Sequence, residues 1–217
     1  MKKQMLDNFE LKVNVKKLVG LDILKEAAEM TFLGSSNKLT LDKAYRCEHS
    51  LSYTQQFWVR IFDMPLYIAT QFLRHSVGNT SFQLSCRDDR NGGNVGLMGL
   101  LSELVDVAQS GGNTKMLVED IFSKVDRYTH VNLGMYINAQ ALINMAKKRY
   151  CGKASMESQI VFDLIADTVR DVDKDLANYL VPTCVYRNGL CPELKCCNFN
   201  KTSKYKSWQK RYNKLFE

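Results

Sequence analysis

One junction limits the folds open to this chain more than any other stretch. From Phe57 to Phe62 the residues alternate, with Phe57, Val59 and Ile61 on one side and Trp58, Arg60 and Phe62 on the other. Period-two alternation of this kind predicts a strand buried on one face and partly buried on the other. Pro65 follows almost at once, and beyond it Leu66, Ile68, Ala69, Phe72 and Leu73 fall at helical spacing. Proline has a fixed φ and no N–H to donate, so it suits the first turn of a helix and not its interior. The spacing therefore predicts a helix from Pro65 to about His75, fed directly by the strand.

The chemistry is concentrated just past that helix. Gln71–Arg90 packs arginines, an imidazole, amides and hydroxyls into one break between helical patterns. Gln71 and Arg74, three residues apart, share a helix face. Gly78 and Asn79 break the helix, and a polar loop is expected to carry Ser81, Gln83, Ser85 and Arg87. Arginine forks together with loop amides suit a phosphate group. The plainer alternative is a helix end whose cations interact with its own carbonyls.

Charge agrees with an anionic partner. The formal net charge is +7, and much of the excess sits in Lys201, Lys204, Lys206, Lys210, Arg211 and Lys214. That places a basic, aromatic tail at 198–217 beside a single larger domain at 1–197. Docking as a short amphipathic helix is the favoured reading of the tail, on a neighbouring subunit or elsewhere, ahead of contact with nucleic acid. No apolar run approaches the roughly 18 residues a membrane span needs. The first residues hold two lysines and no apolar signal region, so the expectation is a cytoplasmic protein.

Seven cysteines include Cys184, Cys191, Cys196 and Cys197 in one short stretch. Their spacing lacks the paired C-x-x-C of common zinc sites, so buried thiols are expected there, with no metal, and zinc is the minority reading.

Elsewhere, residues 10–20 read as a first strand. Asp22 is expected to cap a helix over Ile23 to Leu33, with Leu24, Ala27, Ala28 and Phe32 inward and Gly34 ending it. Leu39 to Cys47 reads as a short helix. Glycine-rich breaks at 91–96 and 110–113 flank an amphipathic helix running from Leu97 to Ala108, and helical spacing resumes from Thr114 to Val125. His130 to Lys148 reads as one apolar helix interrupted by the amides Asn138, Gln140 and Asn144, which are costly to bury unless partnered. A long helix follows, with Val161, Ile165, Val169, Val172, Leu176 and Leu180 on one stripe and Asp163, Asp167, Asp171 and Asp175 on a solvated face. Pro182 ends it.

The order Gln71-x-x-Arg74-His75, a short spacer, then Gln83-Leu84-Ser85-Cys86-Arg87 resembles the signature of the flavin-dependent thymidylate synthases, Arg-His-Arg, a spacer, then Asn-Glu-x-Ser-x-Arg. Ser76 stands in place of the second arginine, Gln83 in place of the glutamate, and Asp88 in place of a following tyrosine. A second stretch matches: Arg149, Ala154 and Glu157 fall at the intervals of the family's Arg, four residues, Ala-Gln, one residue, Glu. Asn138, Gln140 and Asn144 are similar to a family Asn-x-Arg-x-x-x-Asn, with Gln140 at the arginine. His49 lies where family members carry a histidine near the flavin.

The resemblance implies an α/β (α+β) fold with a mixed central sheet and long flanking helices, and a homotetramer with sites between subunits. It implies bound FAD, and methylation of dUMP at C5 to dTMP with methylenetetrahydrofolate and NADPH as co-substrates. It maps Gln71, Arg74, Gln83, Leu84, Ser85, Cys86, Arg87 and Arg149 to the nucleotide, with Arg149 and Ser85 catalytic. His49, His75, Ser76, Asn138, Gln140 and Asn144 map to the flavin. Two other readings remain open: transfer of another one-carbon unit, such as hydroxymethyl, to a pyrimidine nucleotide, and a non-catalytic module binding nucleotides or nucleic acid.

Overall fold

Strand β2 (Gln56–Pro65) lies inside the four-stranded sheet on which everything else is built. The computed structural model describes residues 10–31, 36–83, 105–111 and 129–217. Within them the sheet order is β1-β2-β4-β3, with β1 at Lys12–Lys17, β3 at Asn79–Gln83 and β4 at His130–Asn138. Phe57, Val59 and Ile61 are fully buried while Trp58, Arg60 and Phe62 are half-buried, which is the alternation the sequence carries. On β4, Val131, Leu133, Met135 and Ile137 fill the same buried face. Gly134, opposite Arg60, leaves room for Trp58: a Cβ there would stand 2.8 Å from the indole ring.

The α/β class with long helices is as expected. The described strand pairs are all antiparallel, however, where a mixed sheet was expected. Near the end of β2 the register with β4 slips between Ile61 and Met64, and Asp63 takes φ 56° in the bulge. Asn132 Oδ1 accepts from the Asp63 N–H at 3.0 Å, and the Asp63 carboxylate meets the His130 ring. A residue in the left-handed region persists only where its surroundings hold it.

The helices are α1 (Leu21–Glu29), α2 (Leu41–Cys47), α3 (Leu66–Leu73), α4 (Ala139–Arg149), α5 (Met156–Val172), α6 (Lys174–Tyr179), α7 (Thr183–Tyr186) and α8 (Ser203–Asn213). Residues 105–109 are also helical. Pro65 ends β2 and is the extended N-cap of α3, so the helix starts one residue later than expected and stops at Leu73, with no loop between strand and helix. Helix α1 starts at Leu21 and not Ile23, capped at Gly20, with Asp22 inside its first turn, where the helix dipole favours an acid. It ends at Glu29, short of the expected Leu33; Phe32, Leu33 and Gly34 themselves lie outside the described residues, as do most of the helix expected from Leu97 and all of that from Thr114 to Val125.

Three expectations are corrected. The polar loop after Gly78 is strand β3 as far as Gln83, because pairing with β4 supplies backbone partners that local sequence does not announce. His130–Lys148 is not one helix: β4 occupies the first half, and Asn138 is the hinge, its side chain accepting the Ala141 N–H at 2.8 Å as the α4 cap. The long helix after Ser155 is broken at Asp173, which leaves Val172 exposed, and α6 continues in a new direction.

Asp173 explains the break. Its carboxylate is buried and takes three donors: Lys17 Nζ at 2.6 Å, the Tyr45 hydroxyl at 2.7 Å and the Leu176 N–H at 3.0 Å. One side chain thus joins β1, α2 and α6 while capping the last.

The tail packs on its own chain's core. Tyr205 and Tyr212 of α8 are buried, and Trp208 meets Tyr150 edge-on with ring centroids 5.1 Å apart. The cations of α8 stay exposed. The six described cysteines are free; burial pushes the Cys184 thiol up to about 11 and raises that of Cys151. No described helix is long and apolar enough to cross a membrane.

Candidate functional site

The last residue of α4 and the end of α3 meet in one polar cluster. Arg149 closes α4, whose final turn, Lys147, Lys148 and Arg149, places three cations at the negative end of the helix. From there the Arg149 guanidinium reaches α3. Its Nη1 donates to Gln71 Oε1 at 3.0 Å, its Nε donates to His75 Nε2 at 2.9 Å, and it lies 5.8 Å from the centre of the Phe72 ring. Gln71 Oε1 also accepts the Ser158 hydroxyl at 2.6 Å, which leaves the amide nitrogen facing Ser155 at 3.5 Å. Ser155 caps α5, accepting the Ser158 N–H at 3.3 Å.

Arg74 is exposed just past α3. Neither Arg74 nor Arg149 has a carboxylate partner among the described residues. The two cations are close enough to feel each other. Burial chiefly, and Arg74 second, lower the Arg149 pKa. Two guanidinium groups held near one another without an acid keep donors and charge available for an anion.

His75 is held neutral. Burial first, then the charges of Arg149 and Lys148, lower its pKa to about 4. With Nε2 accepting from Arg149, the ring proton belongs on Nδ1. The folded pKa lies below the ordinary value of 6.5, so between about 6.5 and 4 the unfolded chain binds more protons than the folded one. This group's contribution to stability is complete above about 6.5 and is lost as pH falls toward 4. An NMR titration should find His75 still neutral at pH 5.5, and a midpoint near 6.5 would contradict the cluster geometry.

The nucleotide set is thus partly assembled. Gln71 and Arg149 meet, and Arg74 lies near enough for its charge to act on Arg149. Gln83 ends β3 opposite Leu133, about 13 Å along the strand from Asn79 at the usual rise per residue. Leu84, Ser85, Cys86 and Arg87 lie outside the described residues.

The flavin set falls in two places. His75 belongs to the arginine cluster, and Ser76 follows it, exposed. Gly78, with φ +70°, presses on Asn138, where a Cβ would come within 2.4 Å of Nδ2, so the 75–78 segment spans from the Arg149 end of α4 toward its start. The second place centres on Gln140. Its amide nitrogen donates to Glu48 at 2.6 Å and to Asn144 Oδ1 at 3.3 Å, and its oxygen accepts from Ser52 at 3.1 Å. Lys147 pairs with Glu48 at 2.8 Å and sits over the Tyr186 ring. The amides that the sequence makes costly therefore have partners within the chain. His49 and Asn144 remain exposed, as does Ser76. These three keep polar side chains at the surface, whereas the amides of Asn138 and Gln140 are taken up by partners within the chain.

Ser158, Ser155, Glu48 and Lys147 are absent from the sequence-based set. The Ser-x-x-Ser opening of α5 was readable as a cap, but its contact with Gln71 joins residues 87 apart and needs the fold. A separate cavity between α5, α6 and α8, lined in part by Asp163, Arg170, Trp208 and Arg211, contains none of the expected site residues.

No protein-family model and no curated protein matches the sequence. Solved structures do match in fold. Thymidylate Synthase X (ThyX) from Helicobacter pylori, solved with FAD and dUMP, superposes at a TM-score of 0.53 over 77% of this chain and 99% of that one, with 16% identity. The UMP/dUMP methylase PolB from Streptomyces cacaoi, bound with 5-Br dUMP, superposes at 0.55 over 79% of this chain and 94% of that one, with 11% identity. At these identities the likeness is one of fold.

Proposed function

We propose that the protein methylates dUMP at C5 to give dTMP, using FAD, with methylenetetrahydrofolate as carbon source and NADPH as reductant. The observation that carries this reading is the pairing of Arg149 with Gln71, with Arg74 near enough to act on Arg149, in a fold like those of a dUMP-bound synthase and a UMP/dUMP methylase. A nucleotide monophosphate is a compact dianion next to an uncharged ring with two carbonyls. Exposed Arg74 suits the phosphate, since a guanidinium without an acid partner loses no ion pair on binding. Arg149 offers its second amino nitrogen, which has no partner among the described residues, to a pyrimidine oxygen. Gln71 presents its amide nitrogen because Arg149 and Ser158 both occupy its oxygen. Donors fixed before the substrate arrives stabilise charge that develops on those oxygens without reorganising. Neutral His75 supports this by accepting from Arg149 instead of repelling it.

A bound flavin would supply the electrons for reducing the transferred carbon. His49, Ser76 and Asn144 are the exposed groups of this chain suited to touch it, with His75 alongside the nucleotide. The expected assembly is a homotetramer whose sites draw on more than one subunit.

Purified protein should be yellow, or turn yellow on adding FAD, and should bind dUMP. Absorption spectroscopy reads the first, and calorimetry with FAD saturating reads the second. A protein that takes up neither overturns the proposal. Mass spectrometry of the dUMP product then separates a methyl from a hydroxymethyl group.

A further inference from the structure

Five of the seven cysteines line one small pocket, where the turn after α4 meets α7 and the loop beyond it. They are Cys151, Cys184, Cys191, Cys196 and Cys197, with Glu193 beside them. We propose that this pocket is a structural Zn2+ site in which Cys151, Cys184, Cys191 and Cys197 are the ligands.

Cys151 changes the reading of the cysteines. Local spacing pairs only those beyond residue 183, and that spacing is not a chelating one. The fold adds a thiol from a distant segment, so the set comes from three pieces of chain, which is how a closed tetrahedral site is made when no single C-x-x-C motif exists. Gly152 permits the approach: a Cβ there would come within 2.9 Å of Cys197 Sγ. Cys191 and Cys197 lie near enough to act electrostatically on Cys151, and Cys151 and Cys197 on Cys184. Cys196 is turned aside, accepting the Asn198 N–H at 3.3 Å and contacting Asn200 Oδ1 at 3.7 Å.

As the side chains stand, no three thiol, imidazole or carboxylate groups among the described residues form a group that could hold a metal ion, so the proposed site requires these sulfurs to turn inward; rotation between staggered χ1 wells moves a cysteine sulfur by about 3 Å. On binding, Zn2+ replaces the four thiol protons, which leave to solvent. Because Cys151 follows Arg149 by two residues, the metal would brace the end of α4 that carries the arginine cluster.

The test uses the full chain. Metal analysis after a chelator wash should find one zinc per chain, and cobalt refilling should give thiolate-to-metal charge-transfer absorption with tetrahedral d–d bands. Cys184→Ser and Cys191→Ser should reduce zinc to background, while Cys47→Ser, at an exposed position outside the pocket, should keep it. Should the variants unfold, alkylation of the unsubstituted protein decides: four thiols resist modification until a strong chelator is added. Zinc well below one per chain with every thiol alkylating at once overturns the site, and so do disulfides among these cysteines.

Discussion

If the proposed substrate is right, Arg149→Ala should weaken dUMP binding about tenfold to a hundredfold, and Arg74→Ala should do the same. A charge-assisted hydrogen bond is worth about 1.5–3 kcal/mol, and each factor of ten in affinity is about 1.4 kcal/mol. The two variants part company in stability. Arg74 is exposed and has no partner among the described residues, so its removal leaves the melting temperature essentially unchanged. Arg149 holds Gln71 and His75, so its loss costs about 1 kcal/mol as well, although Ser158 still satisfies the Gln71 oxygen. Arg149→Lys keeps charge but not the two-armed geometry, and should recover stability better than affinity. Calorimetric titration with dUMP beside thermal melts separates these contributions. Unchanged dUMP affinity in both alanine variants removes the substrate assignment.

The largest effect on folding is expected at Asp173, far from that cluster. Asp173→Ala strands the Lys17 ammonium and the Tyr45 hydroxyl and removes the α6 cap. Taking one partner from a buried pair costs about 3–5 kcal/mol. Lys17 keeps a fifth of its side chain exposed and can rehydrate, so the lower end, about 3 kcal/mol, is expected. For a chain of this length that lowers the melting temperature by about 6–12 °C. Asp173→Asn keeps an acceptor for the Leu176 N–H and should recover about 1 kcal/mol, the usual worth of a cap. Urea unfolding midpoints measure both. A loss under about 1 kcal/mol for the alanine variant would mean that the three contacts do not act together.

Local rules in the sequence determined the β2–α3 junction, the short helix ending at Cys47, the cysteine-rich turn past Pro182 and the amphipathic helix at the C-terminus. Each depends on residues within a few positions of one another: a period of two, a proline, a capping hydroxyl, an apolar stripe. The polar residues Gln71, Arg74 and Arg149 were legible for the same reason, being spaced as motifs within single segments. Tertiary structure decided what long-range partners decide. Residues 79–83 and 130–138 are strands because each supplies the other's hydrogen bonds, and neither segment advertises this alone. The α5–α6 break follows from a lysine and a tyrosine more than a hundred positions from Asp173, whose pull outweighs an unbroken apolar stripe. Gln71 is oriented by Ser158, His75 is held neutral by Arg149, and Cys151 reaches the C-terminal thiols only once α4 has placed it there. Sequence spacing measures distance along the chain, whereas hydrogen bonds and charge act through space, so the partners of a functional side chain are known only after the backbone has folded.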